Sequence, residues 1–206
     1  MKRFLSVICI ILVATLVLCS CSKSNDNQVQ STKGENKKPS ELSTTTTQPQ
    51  KLKVKCSAIE DGKISDEYGK RGTQIANKVP TRSIPLTITT APSGTVCFAI
   101  AMSDPDSKPV CGYEWVHWLA TNIEPKEIPA NASIDMKSTI IQGKNSFGTI
   151  GYGGPTPPDK AHNYVITIYA LDAKLSLSNG YSLDEFNKAI KAHTIDSVTL
   201  NGSYEK

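Results

Sequence analysis

Between Lys51 and Lys206 the chain breaks into short runs rich in β-branched and aromatic residues, and turn signals separate them. The runs are KLKVKCSAI, SIPLTITT, TVCFAIAMS, EWVHWLATNI, NYVITIYALD and DSVTLNGSY. Runs of this length and composition predict β-strands. Only SLDEFNKAIKAH reads clearly as helix. Ser182 and Glu185 stand at capping-box spacing there, and Leu183, Phe186 and Ile190 fall on one helical face. Many short strands and one late helix predict a mostly β fold, a sandwich or compact pair of sheets with the helix at its periphery.

Residues 123–158 break this pattern. They hold no long periodic run and collect Pro and Gly in NIEPKEIPANAS and GKNSFGTIGYGGPTPPDKAH. An irregular stretch of this length inside a compact domain is usually functional or disordered. Its Gly and Pro density favours a fixed loop, because Gly permits unusual backbone angles and Pro155, Pro157 and Pro158 lock theirs.

The first residues, MKRFLSVICIILVATLVLCSCSKSN, place Lys2 and Arg3 before an apolar run that ends in LCSC. The run is shorter than the roughly 20 residues a spanning helix needs, which predicts a signal peptide over residues 1–20. Leu18-Cys19-Ser20-Cys21 is similar to a bacterial lipobox, with cleavage before Cys21 and lipid on its sulfur. Residues 21–50 are polar and nearly free of large apolar side chains, so they predict a flexible spacer. Residues 51–206 then suit one domain with one core. This organisation implies a lipoprotein anchored to a membrane on the extracytoplasmic side.

The formal charge is +4, and +2 once Lys2 and Arg3 are removed. With no basic run among aromatics, nucleic acid is not an expected partner. Cys56, Cys97 and Cys111 follow Cys21, and none has metal-site spacing. Cys97 lies in an apolar run and reads as a buried free thiol, while Cys56 and Cys111 are left as a candidate pair.

Alternation in EWVHWLATNI puts Trp115, His117 and Leu119 on one face and Val116, Trp118 and Ala120 on the other. Pro105 ends the preceding strand, leaving Asp104 at a strand end, and His162 opens a later strand with Tyr164 on its face. Asp104, His117, His162 and Tyr164 can therefore line one pocket rimmed by GGPTPP. Each also has a structural reading: Asp104 and Asp106 suit an Asx turn, His117 suits a half-buried core position, and His193 suits the carbonyl end of its helix.

The ordered set DPD, WVHW, NI, GKNSFG, GYGGPTPP, HNY and YALD resembles the phosphatidylethanolamine-binding protein family, in its bacterial Raf kinase inhibitor-like branch. The resemblance runs from about Leu52 to Lys206. It implies a β-sandwich of two antiparallel sheets with a few peripheral helices, and a small pocket for phosphate or the head group of phosphatidylethanolamine. It places the pocket aspartate on Asp104, the tryptophan on Trp115 and the strand histidine on His117. The second histidine and tyrosine fall on His162 and Tyr164, and the Gly-Pro wall falls on Gly154 and Pro155. Three departures stand out: DPDSKPV where the family commonly has Asp-Pro-Asp-Ala-Pro, Thr156 where this branch often has Cys, and no Trp after SIPL.

The expected function is a non-enzymatic binding module with an anion pocket, inhibitor-type proteins being within its range, and with no cofactor. Its partners would be a phosphate-bearing small molecule or phospholipid head group, the membrane through its anchor, and a protein at the pocket rim. The alternative is a hydrolase or metal-dependent enzyme using Asp104, His117 and His162. No Gly-x-Ser-x-Gly elbow or His-x-x-x-His spacing favours it.

Overall fold

A computed structural model of the chain describes residues 49–206. The expected signal peptide, Cys21 and all of the spacer except Pro49 and Gln50 lie outside them. The short strands at the start are β1 (Lys53–Lys55), β2 (Ile59–Glu60), β3 (Lys63–Ile64), β4 (Ile75–Ala76), β5 (Val79–Pro80) and β6 (Leu86–Thr90). Two long strands follow, β7 (Cys97–Asp104) and β8 (Trp115–Ile123), with a one-turn helix α1 (Lys108–Cys111) between them. Next come β9 (Glu127–Ile128), α2 (Ala132–Asp135), β10 (Ile141–Gln142), β11 (His162–Leu171), α3 (Leu183–Lys191) and β12 (Thr194–Tyr204).

The fold is mostly β, as the runs predict. The long strands pair antiparallel in a seven-stranded sheet of order β10-β8-β7-β11-β12-β3-β2, with one parallel contact between β12 and β3. A second sheet has the order β1-β6-β9, and β4 and β5 form a separate hairpin. The strand period of two divides the side chains of β7 between two cores. Phe98, Ile100 and Met102 join Leu86, Ile88 and Ile128 from the three-stranded sheet in one buried cluster. Cys97 and Ala99 join Phe186 and Ile190 of α3 in another. Each large apolar side chain so buried contributes roughly 1.5–3 kcal/mol, so both faces of the central sheet are covered by strong packing.

Helix α3 has both halves of its capping box: Ser182 Oγ accepts from Glu185 N, and Glu185 Oε2 accepts from Ser182 N. Phe186 and Ile190 are buried, but Leu183 in the first turn stays 37% exposed, so the buried stripe is narrower than its spacing predicts. Cys56, Cys97 and Cys111 are all free thiols, and the candidate Cys56–Cys111 pair is not made. The irregular stretch is held by buried polar groups rather than by periodic packing. Gln142 Oε1 accepts from Trp118 Nε1 (2.9 Å) and Ser133 Oγ (2.8 Å), and its Nε2 donates to Ser133 O (2.8 Å). Each such satisfied group would cost on the order of 1–3 kcal/mol if left unpaired, which fixes this loop region in one arrangement.

Candidate functional site

A cavity of about 240 Å³ opens where the ends of β7, β8 and β11 meet. From β7 it takes Asp104, from β8 Trp115 and His117, and from β11 His162 and Tyr164. Five of the seven residues named for the pocket thus come together. Gly154 and Pro155 do not line it; Thr156 and Pro158 form that part of the wall. The two act behind the wall instead. Gly154 N donates to Pro80 O (2.8 Å) and Pro155 O accepts from Lys70 N (2.9 Å). A Cβ on Gly154 would run into the Tyr68 carbonyl, so only glycine lets the loop pass this close.

A bulge in β8 places His117. Met102 pairs with Trp118 and the next residue, Ser103, pairs with Val116, so His117 is the extra residue opposite β7. Simple alternation, which set Trp118 and Val116 together and away from His117, fails there. Trp118 lies in the core cluster on the side of the three-stranded sheet, with Tyr164, whereas Val116 and Leu119 lie in the cluster of α3. His117 faces the first of these, its ring 5.1 Å from that of Tyr164. Bulges re-aim a side chain at the cost of local pairing, and here the re-aimed residue is the cavity histidine.

The two histidines are held in different states. His117 Nδ1 lies 2.5 Å from Gly153 O, a group that can only accept, so Nδ1 carries the proton and Nε2 is left as the free ring nitrogen. Burial of this residue, 2% exposed, pushes its pKa from 6.5 down to about 4 against the pull of the Gly153 carbonyl and Asp104. At neutral pH His117 Nε2 is therefore an acceptor. His162 has a carboxylate on each nitrogen: Nδ1 donates to Asp104 Oδ2 (2.7 Å) and Nε2 to Asp159 Oδ1 (2.9 Å). Burial opposes its charge, but the two hydrogen bonds outweigh burial and raise its pKa.

Asp104 fills both roles read from the sequence. Its Oδ2 holds His162, while Oδ1 accepts from Ser107 N (3.1 Å) and caps the short turn that follows Pro105. Asp106 instead accepts from Asn163 N (2.9 Å), tying that turn to the start of β11. His193 lies away from the cavity, with Nδ1 on Asp172 Oδ1 (2.9 Å) just past α3. Tyr164 Oη and Trp115 Nε1 are buried and have no hydrogen-bond partner; Oη lies close to the Thr156 backbone without bonding well to it. Burial pushes the Tyr164 phenol up, which keeps it a donor.

Among the contributors not named as site residues in the sequence reading, three shape the cavity's key side chains. Phe147 packs edge-on against Trp115 (5.2 Å) and His117 (5.7 Å) and lines the cavity. Ser107 accepts from Trp115 N (2.8 Å) and fixes that residue's approach. Asp159 holds His162. Only the GKNSFG motif and the DPDS turn gave any signal for the first two, and nothing marked Asp159. Among the described residues no group of three or more His, Cys, Asp and Glu is arranged to hold a metal ion.

The model of the family described as phosphatidylethanolamine-binding protein matches residues 55–205, which contain every residue of this cavity. The chain belongs to the phosphatidylethanolamine-binding protein family. The uncharacterized protein YxkA of Bacillus subtilis is 38% identical over 152 residues, covering 66% of this chain and 90% of YxkA. A crystal structure of a phosphatidylethanolamine-binding protein homologue from Chlamydia trachomatis is similar at a TM-score of 0.66 and 30% identity, covering 76% of this chain and 98% of that one. That of E. coli YbcL, a member of the same family, is similar at 0.65 and 26%, covering 76% and 99%. The family fold therefore accounts for the mostly β architecture with few helices.

Proposed function

We propose that this family member is a membrane-anchored, extracytoplasmic binding module whose cavity takes a phosphate or a phospholipid head group. The observation that carries the reading is the pair of buried donors without protein partners, Trp115 Nε1 and Tyr164 Oη, in residues that line one cavity with His117. An unpaired buried donor costs on the order of 1–3 kcal/mol, a cost that a ligand's acceptor oxygens remove. The cavity, about 240 Å³, falls below the ~300 Å³ at which ligand clefts usually begin, so it suits a head group rather than a whole lipid.

His117 Nε2 adds one demand, because a neutral acceptor wants a donor from the ligand. The P–OH of a monoanionic phosphate monoester supplies one, as does the ammonium of ethanolamine. With both nitrogens on carboxylates, His162 has none free to act as a base or metal ligand, which supports binding over hydrolysis. The anchoring half of the reading is supported by the lipobox-like Leu18–Cys21 and the polar spacer after it.

Calorimetric titration of the full chain in detergent with inorganic phosphate and phosphoethanolamine tests the cavity. Saturable binding is expected, weakened about tenfold by Tyr164→Phe, which removes one hydrogen bond to a charged group and keeps the ring. No binding by the folded protein overturns the reading. A preference for phosphoethanolamine identifies the head group as the source, and equal binding identifies phosphate itself. For the anchor, Cys21→Ala is expected to move the protein from the membrane to the soluble fraction, and its retention there would count against lipidation.

A further inference from the structure

Asp159 belongs to none of the strands that build the cavity, yet its carboxylate is bonded to the ring of His162 inside it. The two carboxylates on that ring differ in how firmly they are held. Asp104 is 4% exposed, sits at a strand end and has both oxygens engaged, by His162 and by Ser107 N. The Asp159 side chain is 48% exposed and rides on the exposed tip 158–161. Lys70 pins the loop only as far as Pro157, whose carbonyl accepts from Lys70 Nζ (3.1 Å).

We propose that Asp159 is a built-in competing anion: it occupies on His162 Nε2 the place that a ligand phosphate takes, and so determines which anions the cavity admits. The inference rests on the binding reading above. With Asp159 in place, the imidazolium faces two carboxylates and the trio carries a net negative charge, which repels an anion. With Asp159 swung out, the Asp104–His162 pair is neutral and frees a charge-assisted N–H on a residue that lines the cavity with Trp115 and Tyr164. A ligand must outcompete one carboxylate to gain it. A phosphate does so by bringing more charge and more acceptor oxygens; a monocarboxylate only exchanges like for like. Asp159 thus selects phosphate against carboxylate. The other ionisable groups that line this cavity are Asp104 on β7, Cys111 on α1, His117 on β8 and Tyr164 on β11, with Asp106 reaching β11 through Asn163 N.

The test titrates the full chain in detergent with inorganic phosphate and with acetate at about pH 6, below the ordinary histidine value. The comparison is among the unmodified protein, Asp159→Ala and Asp159→Asn, with circular dichroism as the check that the variants fold. Asp159→Ala is expected to tighten phosphate on the order of tenfold and to narrow the gap between phosphate and acetate. Asp159→Asn, which keeps an acceptor on Nε2 without the charge, should do so less. Binding seen only in Asp159→Ala would also support the proposal, as the extreme of the same competition. If the unmodified protein binds phosphate and Asp159→Ala binds it equally or more weakly, Asp159 merely props His162; this inference falls and the binding reading stands. If no variant binds phosphate while all are folded, both fall.

Discussion

His117 and His162 line the same cavity from strands β8 and β11, and the chain treats them in opposite ways. His117, set by the β8 bulge, has one carbonyl for a partner and is kept neutral by burial. His162, at the first position of β11, has two carboxylates and is kept charged despite being 1% exposed. Burial alone disfavours charge on either ring, so the difference lies in the partners that the fold supplies. It also divides the labour. The neutral wall offers an acceptor beside aromatic rings, and the charged wall holds a cation that is already balanced.

The firmest way to break this contrast is to remove the carboxylate that His162 cannot lose. Asp104→Ala strips a buried partner from the imidazolium and also uncaps Ser107 N. Removing one member of a buried ion pair costs about 3–5 kcal/mol, so a loss in that range is expected in urea unfolding. The His162 pKa, followed by NMR, should fall as well. A loss below about 1 kcal/mol would mean that Asp159 and solvent suffice to hold the charge, and the two walls would differ less than their partners suggest.

The same contrast explains what was legible in the sequence. Asp104, Trp115, His117, His162 and Tyr164 could be placed because strand ends and strand period are written in the order of residue types, and the resemblance supplied their common destination. The bulge at His117 was not legible: no Gly or Pro marks it, and an extra residue in one strand is defined only by its pairing with Ser103 and Met102. The resemblance placed the Gly-Pro wall on Gly154 and Pro155, but their backbones bond to Pro80 and Lys70, and Thr156 and Pro158 line the cavity in their stead. Leu183 has core spacing on α3 yet sits in the first turn and stays exposed. The protonation states were least legible of all, since both histidines are single residues in strands and only their partners, Gly153, Asp104 and Asp159, tell them apart.

Acid sharpens the comparison, because the two rings respond to pH with opposite signs. The folded pKa of His117 is pushed down to about 4 from 6.5, so between these values the unfolded chain binds the extra proton and the folded one does not. Stability is therefore lost as pH falls through this window, by about 3 kcal/mol from this site alone. His162 is the reverse: its folded pKa is raised, so its contribution is in place below 6.5 and is lost as pH rises through the folded value. Urea unfolding at intervals between about pH 4 and pH 7 separates them when the protein is compared with His117→Gln, which keeps a donor for Gly153 O and does not titrate. Whatever stability the variant starts from, the decisive quantity is its slope. Carboxylates contribute equally to both proteins, so the difference between the two curves should shrink steadily on acidification and level off only below about pH 4. Parallel curves would mean that His117 accepts a proton as readily folded as unfolded, through water reaching Nε2, and the cavity would then present two cations where its geometry indicates one.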